Sequence, residues 1–132
     1  MILLDANVIL DVLDPDPVWH AWSSSQLRRL SLTEELAINP IVYAEISVSF
    51  ATAAALDEKL AVLGVIVLSI PRLAAFLAGK AIAQYRRQGG TKGNVLPDFF
   101  IGAHAAVLEC PILTRDTRRY AAYFPNVRLI AP

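Results

Sequence analysis

Short apolar runs alternate with helical patterns from one end of the chain to the other. Ile2 to Leu4, Leu36 to Ile38, Val65 to Leu68, Pro111 to Leu113 and Val127 to Ile130 are of strand length and almost free of polar residues. Strands covered on both faces read this way, whereas a half-exposed strand alternates. Between them the period lengthens to that of helices. Val8 to Leu13 follows the first run, and the proline pair Pro15 and Pro17 stops it. Pro17 then suits a first helical position, opening a helix that carries Val18, Trp22 and Leu30 inward and ends near Arg28 and Arg29. Asn39-Pro40 reads as a cap and first residue for a helix over Ile41 to about Ala54. Asp57 to Leu63, Pro71 to Arg87, Asp98 to Glu109 and Asp116 to Tyr123 complete seven helices around five strands. Alternation of this kind predicts an α/β fold, a parallel sheet covered by helices on both faces, with Val65 to Leu68 as a central strand. The segment Gln88 to Asn94, rich in glycine, is predicted to be a mobile loop.

At 132 residues the chain is expected to form one domain, 1–132, able to fold without disulfides or a structural metal. Its hydrophobic fraction of 55% is high for this size and predicts a covered surface, as a homodimer or against another protein. No apolar stretch reaches the roughly 18–20 residues of a membrane span, and no positive leader precedes Asp5, so a cytoplasmic protein is expected. The single Cys110 lies among apolar neighbours and is expected to be a buried thiol. Twelve basic and twelve acidic residues cancel, which excludes a broad positive field for nucleic-acid capture; any such contact must be local.

The candidate chemistry lies in four acids. In open parallel sheets ligands bind beyond the carboxyl ends of strands, where Asp5 and Asp116 fall. Each taken singly is explained as a helix cap or a partner of the helix dipole. Glu45 sits inside the apolar sequence Ile41 to Ile46, where an unpaired carboxylate costs several kcal/mol, so it needs either a cation such as Arg115 or a metal. Asp98 follows Pro97 at a helix start. Four acids without histidine or cysteine make an all-oxygen set suited to Mg²⁺ or Mn²⁺ and unsuited to zinc. His20 and His104 have no second ligand at a useful spacing and are expected to be surface or packing residues.

With these residues placed, the sequence resembles the PIN-domain family, and within it the VapC-type toxins of prokaryotic toxin–antitoxin pairs. The likeness rests on Ile2 to Leu10 (strand, Asp5, Ala6, Asn7), on Glu45 in its early helix, and on Leu96 to Ala105 continuing to Leu113-Thr114-Arg115-Asp116. It implies a three-layer α/β/α sandwich and a metal-dependent ribonuclease with Asp5, Glu45, Asp98 and Asp116 as catalytic and metal-holding residues. Asn7 and Thr114 carry over as groups that orient the acids or waters. The implied chemistry is metal-assisted phosphodiester hydrolysis leaving 5′-phosphate and 3′-hydroxyl. The implied partners are an RNA substrate and a cognate antitoxin that covers the site. Arg86, Arg87, Lys92 and Arg115, together with Arg118 and Arg119, are the candidate RNA contacts, although a solvated helix face explains each alone.

Other readings fit less well. Aspartate-nucleophile phosphatases resemble Asp-x-Asp, but Asn7 holds the second position and there is no room for a cap domain. A phosphoacceptor receiver domain would need an acid after the middle strand, where Ser69 stands. A PIN-like module without activity, working through a protein partner, is the alternative that a full acid set argues against.

Overall fold

A computed structural model describes all residues, 1–132. Five strands, β1 (Ile2–Leu4), β2 (Leu36–Ile38), β3 (Val65–Val67), β4 (Ile112–Leu113) and β5 (Leu129–Ile130), form one sheet in the order β3-β2-β1-β4-β5. Every pairing is parallel. Seven helices connect them in a three-layer α/β/α arrangement: α1 (Ala6–Leu13), α2 (His20–Ser31), α3 (Pro40–Ser47), α4 (Ala53–Leu63), α5 (Arg72–Arg87), α6 (Leu96–Leu108) and α7 (Arg118–Tyr123).

The strands β1, β2 and β4 are buried at every position, as their unbroken apolar runs require. The β3 strand departs from expectation. It is an edge strand and not a central one, with Ile66 and Val67 exposed. Its β-branched residues mark a strand, but β-branching does not say how many neighbours a strand has.

Several helix boundaries also differ, most clearly at α2, α3 and α4. The α2 helix starts at His20 and not at Pro17, because the Asp16 carboxylate accepts the N–H groups of Val18 and Trp19 at 2.8 Å each and holds that segment as a turn. The helix opened by Asn39 stops at Ser47, and Thr52 then caps α4 by accepting from the Ala55 N–H. Asn39 itself caps α3 as expected, its side chain accepting from Ile41 and Val42.

The main core joins the sheet to α1, α2, α3 and α4, with Ile101 and Ala105 of α6 and Tyr120 of α7. A smaller second core lies among helices, built from Ala74, Ala78, Ala81 and Tyr85 of α5 with Phe99 and Ala103 of α6. The alanines recur at helical spacing and let α5 approach α6 closely. Gly102 of α6 faces Phe124, whose ring would clash with a Cβ there. Gly64 ends α4 with φ +70°, a left-handed cap.

The segment expected to be mobile is folded onto Tyr85. The Gly90 N–H donates to the Tyr85 carbonyl at 2.9 Å and the Lys92 N–H to its hydroxyl at 3.2 Å. A Cβ at Gly90 would lie 2.4 Å from the Tyr85 ring, so only glycine fits this approach. No helix is long and apolar enough to cross a membrane. Cys110 is buried, and burial pushes its thiol pKa up.

Candidate metal-dependent nuclease site

Strand order decides where the site lies. From β1 the chain crosses to β2 and then β3 on one side, and returns to place β4 on the other. The crevice beyond the carboxyl ends of β1 and β4 is therefore the topological switch point. Asp5 follows β1 directly, and Thr114, Arg115 and Asp116 follow β4.

Asp5 is 6% exposed, and three donors converge on its Oδ2. These are Thr114 Oγ1 at 2.8 Å, the Tyr120 hydroxyl at 2.9 Å and Asn7 Nδ2 at 3.3 Å. Burial nevertheless keeps its pKa raised, against the opposing pull of Thr114 and Tyr120. Thr114 Oγ1 also accepts from the Asp116 N–H at 3.1 Å. One hydroxyl thus ties the ends of β1 and β4 together.

The four acids line a single cleft of about 310 Å³, together with Asn7, Lys92, Asn94, Arg118 and Arg119. Each arrives on a different element: Asp5 after β1, Glu45 on α3, Asp98 in the first turn of α6, Asp116 before α7. Their charges are poorly compensated. Burial, with Asp5 nearby, pushes Glu45 up to about 7. Burial, with Asp5, Glu45 and Asp116 nearby, does the same to Asp98, against the pull of Arg119. Asp116 goes the other way, because Arg118 holds it through two hydrogen bonds at 3.1 and 2.9 Å. Glu45 Oε1 is buried and has no hydrogen-bond partner.

That orphaned oxygen bears on whether a cation fits. A buried carboxylate oxygen without a donor is costly, and a hard cation is the partner that would satisfy it. The donor set is all oxygen. As the side chains stand, however, no three Asp, Glu, His or Cys residues converge closely enough to hold an ion. The residue chemistry fits a divalent cation, with Arg118 holding one of the four acids.

Of the expected RNA contacts, the structure brings Lys92, Arg118 and Arg119 to the cleft. Arg86 lines a neighbouring hollow with Gly90 and Lys92, and Arg87 lies on another surface beside Tyr123. Arg115 is absorbed elsewhere. Its guanidinium makes hydrogen bonds of 3.0, 3.1 and 3.3 Å to the Asp11 carboxylate and stacks on Trp19. It therefore does not pair with Glu45.

Asp11 is 3% exposed and also accepts from Ser23 Oγ at 2.7 Å. This network and the Tyr120 contact were not anticipated. An acid inside the apolar helix Val8 to Leu13 was a usable signal for Asp11. Nothing in the sequence marks the direction of the Tyr120 hydroxyl. His104 is buried, with Nδ1 3.3 Å from Asn39 Nδ2, and burial lowers its pKa. His20 Nδ1 lies 3.1 Å from the Asp11 carbonyl. The largest cavity, about 420 Å³, lies away from the acids, between Cys110 and Arg128. Its lining holds Glu109, Cys110 and Arg128 but no second carboxylate, whereas the smaller cleft gathers four.

Comparison with curated proteins finds no match. Solved structures do match over nearly the whole chain. They include VapBC2 from Rickettsia felis, bound to a DNA fragment from its promoter (22% identity, TM-score 0.74, covering 100% of this chain and 99% of that one). FitAcB from Neisseria gonorrhoeae matches at 24% identity and TM-score 0.71, over 98% and 96% of the two chains. DNA-bound VapBC from Salmonella typhimurium matches at 23% identity and TM-score 0.69, again over 98% and 96%. At these identities the likeness concerns the fold. The PIN-domain family profile matches residues 2–125, and the chain belongs to the PIN-domain family.

Proposed function

We propose that the protein is a divalent-metal-dependent endoribonuclease, the toxin of a VapBC-type toxin–antitoxin pair. The observation that carries this reading is the cleft of four acids at the switch point, with Glu45 Oε1 buried and unpartnered. Asp5, Glu45, Asp98 and Asp116 would hold Mg²⁺ or Mn²⁺. When bound, such an ion supplies Lewis-acid stabilisation of a phosphodiester under attack and lowers the pKa of water. The chain's own residues prepare this. Thr114, Tyr120 and Asn7 occupy Asp5 Oδ2 and so fix the carboxylate plane. The raised pKa values of Glu45 and Asp98 mean that these two acids would release protons as a cation enters. Arg118 competes with the cation for Asp116.

The likeness to the VapBC structures from Rickettsia felis and Salmonella typhimurium supports an antitoxin partner for this chain. Exposed Leu73 and Phe76 on α5, with Ile66 and Val67 at the open edge of the sheet, support a covered surface, as in a homodimer. A reducing cytoplasm suits the lone buried Cys110.

Thermal unfolding with and without Mn²⁺ tests the metal site, and cleavage of single-stranded RNA under the same conditions tests the activity. An ion at 100 times its dissociation constant adds about 2.7 kcal/mol. A clear rise in melting temperature that Asp98→Asn loses, together with RNA cleavage that Asp98→Asn also loses, is expected. A wild type that ignores Mn²⁺ and leaves RNA intact would transfer the protein to the class of silent binding modules.

A further inference from the structure

The cleft must admit a polyanion although four acids line it, so its cations matter as much as its carboxylates. They are not equivalent. Arg115 is bound to Asp11 outside the lining. Arg118 is 81% exposed and forms a two-bond pair with Asp116. Lys92 lies exposed on the loop. Arg119 differs from all three. Its side chain is only 25% exposed, and its ion-pair partner, Asp98 Oδ2, lies 3.9 Å from Nε, beyond hydrogen-bond reach, while Asp116 feels its charge without bonding to it. That Nε is buried without a partner.

Its position is also fixed. The Arg119 guanidinium carbon stands 5.6 Å from the centroid of the Tyr85 ring. Tyr85 is itself immobilised, 5.4 Å from Phe99 and 6.3 Å from Tyr123 between ring centroids, with Gly90 against its face. A stacked guanidinium has already lost most of its rotamer freedom, so binding costs little further ordering. Its planar fork of donors matches phosphate oxygens.

Resting on the ribonuclease reading above, we propose that Arg119, seated on Tyr85 beside Asp98, is the residue that grips a phosphate of the RNA strand in this cleft. The ring holds the cation in place, and its Nε donates to none of the acids around it. Arg86 and Arg87 on the neighbouring helix then contribute only distant charge. The loop from Gln88 to Asn94 acts indirectly, because Gly90 and Lys92 close over the ring that carries Arg119.

The test is fluorescence anisotropy of a short fluorescein-labelled single-stranded RNA of mixed sequence, with Ca²⁺ replacing Mn²⁺ to keep the strand uncut. Thermal unfolding with Mn²⁺ is run in parallel on the same proteins. Arg119→Gln should weaken RNA binding about ten- to hundredfold, the worth of a charged hydrogen-bonding group. It should also lower the slope of log affinity against log salt by about 0.7, while the response to Mn²⁺ persists. Arg87→Gln should change affinity less than about twofold by the same reckoning of distant charge. If Arg119→Gln fails to fold, Arg119→Lys decides: it keeps the charge but loses the stacked fork, and about fivefold weaker binding is expected. RNA binding within twofold of wild type in the Arg119 variant, with the Mn²⁺ response intact, overturns the inference and leaves the ribonuclease reading standing. Absence of both RNA binding and Mn²⁺ response in wild type removes that reading, and the inference with it.

Discussion

Replacing Asp98 with Asn should stabilise the metal-free protein, and the gain should depend on pH in a defined direction. Asp98 is raised from 3.8 to about 7, first by burial and then by Asp5. A folded-state pKa above the unfolded one means that the native state holds the extra proton between those values. Its stability contribution is therefore fully present below about pH 4 and is lost as pH rises through about 7. At 1.36 kcal/mol per unit the shift corresponds to about 4 kcal/mol at full strength. The side chain keeps 31% exposure and Glu45 titrates with it, so about half, ~2 kcal/mol, is the expected net gain at pH 8. Losing a negative charge in the first turn of α6 subtracts about 0.5 kcal/mol. With an unfolding entropy of about 2.1 cal/mol/K per residue, the remaining ~1.5 kcal/mol raises the melting temperature by about 5 °C. Circular-dichroism melts in EDTA from pH 4 to 8 should show the two proteins converging at the acid end, separating progressively between about pH 4 and 7, and keeping a constant margin above that. A variant that melts below wild type throughout, or by a constant margin at every pH, would show that Asp98 serves α6 as a cap and not the cleft as a strained acid.

Three further perturbations probe the scaffold. Arg115→Met strands the buried Asp11 carboxylate with Ser23 alone; at the lower end of the range for broken buried pairs, about 3 kcal/mol should be lost. The pair Asp11→Asn with Arg115→Met should lose less than the single change, and equal losses by urea unfolding would refute the tether. Tyr120→Phe removes one of three donors to Asp5 Oδ2 and should cost about 1–2 kcal/mol near neutral pH; an unchanged urea midpoint would mean that Thr114 and Asn7 suffice. Gly102→Ala pushes a Cβ into the Phe124 ring and should destabilise by about 1 kcal/mol. In a Phe124→Leu background the same change should become neutral or favourable, since alanine is the better helix former.

The elements and the four acids were legible because each depends on local signals. Buried parallel strands write themselves as unbroken apolar runs, and an acid after such a run is placed by the fold class alone. Asn39-Pro40 likewise announces α3 through chemistry confined to three residues. What depends on distant partners was not legible. The order of strands places Val65 to Val67 at an edge, but their composition is that of any buried strand. Arg115 precedes Asp116 and looks as though it shares its cleft, yet its guanidinium turns to Asp11, more than a hundred residues earlier in the chain. Tyr120 lies one turn after Asp116 and reads as ordinary helix packing, while its hydroxyl reaches Asp5. In each case the deciding contact spans a separation over which sequence periodicity carries no information.

These long-range contacts share a physical logic. Gathering four acids costs stability, as the raised pKa values of Glu45 and Asp98 record, so apart from Asp116, which Arg118 pairs, the acids are held by structure that does not depend on favourable charge. Asp5 and Asp116 are held by the sheet and by one hydroxyl, Thr114, that bonds to both. Asp98 rides on α6, fixed by the second core against α5. Glu45 rides on α3, whose cap Asn39 donates to neutral His104 in the middle of α6. That buried contact links the helices bearing Glu45 and Asp98, two acids whose pKa values burial raises. On the proposed metal-dependent reading, a cleft that waits for a cation gains from being shaped largely by uncharged hydrogen bonds and apolar packing, which do not depend on the cation.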